Sequence, residues 1–123
     1  KLKYLDRDNA RRKQVAQYYL ANIRNHEIIL PQVKNWDENV VHIFPIRHKN
    51  RDKLQKYLEE NGVQTLIHYP VPPHKQACYQ ELSQLDLPIT EKIHYEILSL
   101  PVSPVISDKE LEVIVEILNS YKE

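Results

Sequence analysis

Gly62-Val63-Gln64-Thr65-Leu66-Ile67-His68-Tyr69-Pro70-Val71-Pro72-Pro73-His74-Lys75-Gln76 is the stretch on which the reading of the fold turns. Gly62 is the only glycine among 123 residues. It follows Asn50 to Glu60, where Leu54, Tyr57 and Leu58 make one apolar helical face. Gly62 therefore stands where the residue after a helix takes a left-handed backbone. Val63 to His68 then reads as a strand. Pro70, Pro72 and Pro73 force an extended, stiff segment after it. That segment carries two imidazoles, a phenol, an ammonium and an amide: His68, Tyr69, His74, Lys75 and Gln76. A rigid loop presenting polar tips at a strand end is how sites are mounted on scaffolds. A rigid connector whose Tyr69 packs inward satisfies the same spacing.

Outward from this stretch, the chain alternates helices with short strands. On the N-terminal side, Asp6 or Asp8 is placed to cap a helix with Val15, Tyr18, Tyr19 and Ile23 on one face and Arg11, Arg12, Gln14 and Arg24 opposite. Asn35 to Asn39 reads as a polar loop around Trp36. Val40 to Arg47 reads as a strand, with Pro45 placed on an edge or at the strand's end because it lacks an N–H. On the C-terminal side, a helical stretch is expected from about His74 to Leu85, with Cys78, Leu82 and Leu85 in register. Thr90 is placed to cap another helix, with Ile93 and Ile97 inward. Ile97 to Leu100 fits a helix end or a short strand equally. Ser107 to Glu110 is a capping box that opens a last helix buried through Leu111, Ile114, Val115 and Leu118. The order predicts an α+β fold: a small two-layer domain, residues 1–123, with a short three-stranded sheet flanked by helices.

Composition excludes several functions. The 17 basic and 17 acidic side chains cancel, so no global field draws the chain to nucleic acid or to an acidic membrane. With one glycine, a P-loop, a dinucleotide fingerprint and an EF-hand are all excluded. No apolar run approaches membrane-span length. The single Cys78 cannot form an internal disulfide, so a reducing compartment, expected to be the cytoplasm, or indifference to redox is the default. The chain holds no methionine. A chain beginning Met-Lys would keep its Met, so Lys1 is expected to continue a longer polypeptide.

Each candidate group has a bland counterpart. The six histidines (His26, His42, His48, His68, His74 and His94) show no i, i+4 metal spacing, and scattered polar histidines are the favoured reading, with no metal expected. Cys78 falls at a helical apolar position, so an inert buried thiol is favoured over a nucleophile. Arg47 to Lys53 is the densest basic stretch. It lies at a strand-to-helix junction able to hold a phosphate, yet Asp52 interrupts it and a solvated loop is favoured.

The run from Gly62 to Gln76 resembles the C-terminal small domain of DegT/StrS-type sugar aminotransferases, pyridoxal-phosphate enzymes that aminate nucleotide-linked keto sugars. Three further stretches fit in order. Leu2 to Ile23 is similar to the family's interdomain helix (residues 1–25), including Asn9, Arg11, Arg12, Ala16 and Tyr18. His42 to Arg47, with Arg51, Leu54 and Leu58, is similar to its strand and next helix. Leu98 to Pro104, leading to Ser107, is similar to its closing motif. The resemblance covers essentially the whole chain. It implies an aspartate-aminotransferase-type fold, a homodimer with active sites at the subunit interface, and glutamate as amino donor. It also implies a dTDP-linked 3-keto-6-deoxyhexose as substrate, in bacterial surface polysaccharide (lipopolysaccharide) or glycan synthesis. The Schiff-base lysine and the pyridoxal-phosphate ligands are implied to lie in an N-terminal large domain outside this chain. No catalytic residue is therefore expected here, Lys75 included, and the chain alone is expected to be inactive. What the resemblance leaves to this chain is a substrate wall: His68 and Tyr69 first, with His74, Lys75 and Gln76 as neighbours. They would act by orienting substrate rather than exchanging protons. An apolar docking face is expected at Tyr4, Leu5 and Leu66 to Val71.

Two other classes are carried beside this one. A free-standing nucleotide- or protein-binding module would use Arg47 to Lys53 as its phosphate site and the proline loop as a lip. A nucleic-acid module is disfavoured by the zero net charge.

Overall fold

In the computed structural model, which describes residues 1–123, four helices surround a two-stranded antiparallel sheet. The elements run α1 (Leu5–Asn22), β1 (Phe44–Arg47), α2 (Arg51–Glu60), α3 (Pro88–Glu96), β2 (Ile97–Leu100) and α4 (Asp108–Ser120). Short 3₁₀ turns occur at Leu2–Tyr4, Trp36–Glu38, Pro73–Lys75 and Ala77–Leu82.

The sheet explains its own alternation. Phe44 pairs with Leu100 and Ile46 with Leu98, and all four are buried on the core side. Phe44 meets the Tyr19 ring of α1 at 5.0 Å. Val15 and Tyr19 on α1 and Leu111, Ile114, Val115 and Leu118 on α4 complete that core with Leu54 and Leu58 of α2. The α-helical spacing of these residues aims each apolar stripe at the sheet. Full burial of a side chain such as Leu98 makes truncation to Ala cost about 2–5 kcal/mol.

A third strand does not form. Val63 to His68 contributes one bridge, Leu66 to Ser99, and Ile29 makes another to Arg47 on the opposite edge. The backbone of Leu66 exchanges both its hydrogen bonds with Ser99, at 2.7 and 3.3 Å. Pro70 follows four residues later, and the chain turns away before the ladder can lengthen. β1 is also shorter than expected, because Val40 to Ile43 lies outside it. Pro45 sits at its second position. Arg47 bonds outward to Ile29, so by the two-residue period Pro45 also faces the outer edge. Its missing N–H costs the β1–β2 ladder nothing.

The stop after α2 is as the sequence predicts. Gly62 has φ of +82°. Its N–H donates to Glu59 O at 3.0 Å, and Val63 N–H donates to Leu58 O at 2.8 Å. These are the two bonds of a Schellman motif, closed by buried Leu58 and Val63. The capping box of α4 also forms. Ser107 Oγ accepts from Glu110 N–H at 3.1 Å, and Glu110 Oε2 accepts from Ser107 N–H at 2.7 Å. Neither expected cap at Asp6 or Asp8 is used; both lie inside the first turn of α1, near its positive end. Thr90 likewise falls inside α3, which starts at Pro88.

The expected helix from His74 to Leu85 is replaced by two 3₁₀ turns, with non-helical backbone at Tyr79. An isolated apolar stripe needs an opposing surface to hold a helix, and here Leu82 and Leu85 stay exposed by 40% and 47% rather than entering the core. Cys78 is exposed as well, which corrects the buried-thiol reading.

Candidate functional site

A groove of about 1110 Å³ opens beside β2. Ser99 and Leu100 of β2 line it. One wall is Gly62 to Leu66, the other is α4 through Lys109 and Val113, and His68 stands at its lip. Arg12 and His42 enter from the α1 side. Tyr19, below, donates its hydroxyl to Pro101 O at 2.7 Å. Burial pushes that phenol above its ordinary range.

Of the five expected substrate residues, only His68 lines this groove. Its Nδ1 lies 2.9 Å from Ser99 Oγ. Tyr69 extends outward, 64% exposed, and its ring stands edge-on to the His68 imidazole at 5.4 Å. The Tyr69 carbonyl is held by His94 Nδ1. The other three are used in shaping the loop. His74 is buried, with Nε2 2.8 Å from Glu91 Oε1 on α3. Lys75 Nζ donates to Ser83 O at 2.8 Å and Leu85 O at 3.2 Å, and lies 3.5 Å from Glu91 Oε1. Gln76 Nε2 reaches back to Val71 O at 3.5 Å. The hydrogen bond from His74 holds the Glu91 carboxyl below its usual range, with Lys75 adding to the effect.

In the basic stretch, Lys49, Asp52 and Lys53 are solvated as expected, but Arg47, His48 and Arg51 form a structural joint. Arg47 forms a two-nitrogen contact with Glu96 Oε2, at 2.6 and 3.0 Å. Arg51 is buried and donates to His94 O and Ile97 O at 3.0 and 3.1 Å, capping the end of α3. Both guanidiniums are thus committed, and neither is free to hold the phosphate that a nucleotide-binding module would require.

His48 lies under the same joint, fully buried. Its Nε2 has no partner and faces Glu27 Oε2 at 3.9 Å. Glu27, His48 and Glu123 bring their donor atoms within 4.8 Å of one another. His48 Nδ1, however, accepts the Asn50 N–H at 3.0 Å. In the neutral ring the proton is then on Nε2, so that nitrogen has no lone pair for a cation.

A pyridoxal-phosphate group takes a reachable lysine and a phosphate cradle. No lysine is buried, Lys75 spends its donors on backbone carbonyls, and the one glycine closes α2 instead of cradling a phosphate. The apolar residues expected at a docking face are exposed: Tyr4 and Leu5 by about half, Leu66 by 65%, and Val71 by 44%. No helix is long and apolar enough to cross a membrane.

Comparison with known proteins gives this geometry its context. The DegT/DnrJ/EryC1/StrS aminotransferase family matches residues 1–119. A dTDP-3-amino-3,6-dideoxy-alpha-D-galactopyranose transaminase from Aneurinibacillus thermoaerophilus is 52% identical over 121 residues, covering 98% of this chain and 33% of that protein. A dTDP-3-amino-3,4,6-trideoxy-alpha-D-glucose transaminase from Streptomyces venezuelae is 36% identical over 85% of this chain and 28% of its own length. The crystal structure of S. venezuelae DesV in complex with a ketimine intermediate superposes with a TM-score of 0.88 at 31% identity, covering 96% of this chain and 33% of that one. The chain therefore spans about a third of the relatives it matches.

Proposed function

We propose, because this chain belongs to the DegT/DnrJ/EryC1/StrS aminotransferase family, that it is the C-terminal part of a sugar aminotransferase. The whole enzyme moves an amino group from glutamate to a dTDP-linked 3-keto-6-deoxyhexose with pyridoxal phosphate. The observation that carries this reading is 52% identity across 98% of the chain to a transaminase whose product is a dTDP-3-amino sugar.

Within that enzyme the chain's own residues bind and orient. His68 and Tyr69 face the nucleotide-sugar cleft from a loop that prolines, His74, Lys75 and Gln76 hold in shape. Pre-ordering the loop lowers the entropy lost when substrate binds. The exposed side chains of Tyr4, Leu5, Leu66 and Val71 suit a dry contact with the large domain and a second subunit. The cofactor supplies the electron sink for amino transfer, and its lysine and phosphate ligands belong to the rest of the polypeptide. The enzyme acts in the cytoplasm, where nucleotide sugars are made for surface glycans.

The test is to express the full-length enzyme and incubate it with glutamate and a dTDP-3-keto-6-deoxyhexose. Mass spectrometry should find a dTDP-amino sugar, and the isolated chain should form none. Absence of product across a panel of nucleotide-linked keto sugars would overturn the reading.

A further inference from the structure

Ser99 is held more tightly than a groove-lining serine needs to be. Its strand neighbours Leu98 and Leu100 turn into the core, while Ser99 sits on the opposite face, yet is only 5% exposed. Its backbone is clamped to Leu66 by two hydrogen bonds, and two residues beyond Leu66 the chain delivers His68. The Ser99 hydroxyl then meets His68 Nδ1 at 2.9 Å.

That pairing fixes a proton. A buried hydroxyl hydrogen is rarely left without an acceptor, and His68 Nδ1 is the one the Ser99 hydroxyl reaches. The reverse bond, Nδ1–H to Oγ, would strand the hydroxyl hydrogen. Ser99 Oγ–H therefore donates, Nδ1 accepts, and the neutral ring carries its proton on Nε2. Nε2 makes no bond within the chain and is not sealed from solvent. The Tyr69 ring, edge-on to the imidazole, limits how far it can swing.

We propose that Ser99 is a positioning residue. It orients His68 and sets it as a neutral Nε2–H donor to an oxygen of the sugar-nucleotide substrate. The inference rests on the functional reading above and adds a direction to it: His68 gives a hydrogen bond and accepts none at its free nitrogen. A donor of this kind suits a phosphate, hydroxyl or carbonyl oxygen and does not suit an amine.

The experiment is a double-mutant cycle in the full-length enzyme with Ser99→Ala, His68→Phe and the pair. Ser99→Ala should lower kcat/KM for the nucleotide sugar about five- to tenfold, the scale of one neutral hydrogen bond. The glutamate half of the reaction should keep its rate. In the His68→Phe background, Ser99→Ala should cost nothing more. Ser99→Thr, which keeps Oγ, should restore most of the loss. Fully additive losses, or equal slowing of the glutamate half, would overturn the proposal. A wild-type enzyme that aminates no nucleotide sugar overturns the functional reading instead, before any Ser99 variant is compared.

Discussion

At Gly62 the backbone stands at φ of +82°, and no atom beyond Gly62 and its chain neighbours lies within 4 Å of where a Cβ would be. Gly62→Ala therefore meets backbone strain without a clash. It should cost about 1–2 kcal/mol, read as a lower urea midpoint with an unchanged slope. Tyr19 gives a second residue-scale prediction. Burial raises its phenol pKa in the folded state above the unfolded value. Its stabilising contribution is then complete below about pH 10 and is lost as pH rises through the folded value. Tyr19→Phe should flatten this alkaline decline. At neutral pH it should cost about 1 kcal/mol for the lost bond to Pro101 O. An alkaline stability profile identical in the two proteins would contradict this account. At this scale the sequence was legible where one side chain has one backbone role, as at Gly62 and Ser107. It was silent on Arg47, His48 and Arg51, whose partners Glu96, Asn50 and the end of α3 are set by tertiary approach.

Among the elements, α4 and the proline loop show opposite degrees of local control. α4 is set by its own sequence: a capping box, then an apolar stripe of Leu111, Ile114, Val115 and Leu118. Ser107→Ala should cost about 1 kcal/mol. The Ser107 N–H bond holds the Glu110 carboxyl below its usual value. Glu110 therefore contributes above the ordinary glutamate range, and its contribution fades as pH falls through the lowered folded value. Acid titration of Ser107→Ala should show a smaller loss in that window than the parent. The segment from His74 to Leu85 has helical spacing but leaves Leu82 and Leu85 exposed, and periodicity alone cannot report whether an apolar stripe meets an opposing face. It is tied by His74, Lys75 and Glu91 instead. Glu91→Ala leaves the buried His74 Nε2 without its acceptor. Limited proteolysis should then cut between residues 76 and 87 faster than in the parent, while the core helices stay intact. An unchanged cleavage rate would show that the loop is held by other means.

Across the whole molecule, the α+β class and the last helix follow from pattern; Ile97–Leu100, which fits a helix end or a strand equally, is a strand, and the expected three-stranded sheet reduces to two strands with a bridge on each edge. Single bridges depend on where the chain next turns, which residue alternation does not encode. The site is legible to a similar depth. The proline loop is visible in the sequence as a rigid mount, and the structure brings His68 to the groove. It also turns His74, Lys75 and Gln76 back on the loop, a division that residue type could not reveal because all five side chains offer similar hydrogen-bonding groups. Ser99 is read in the sequence only as part of the Leu98 to Pro104 motif, since its pairing with His68 arises from tertiary approach. The family match and the exposed apolar side chains at Tyr4, Leu5, Leu66 and Val71 both support the proposal that the chain works as part of a larger enzyme. The most direct measurement is the coding sequence immediately upstream of the Lys1 codon in the native gene. The account predicts an open frame about twice as long as this chain, given that the chain covers 33% of its relative, encoding a lysine-bearing pyridoxal-phosphate domain. A start codon abutting Lys1 would contradict it.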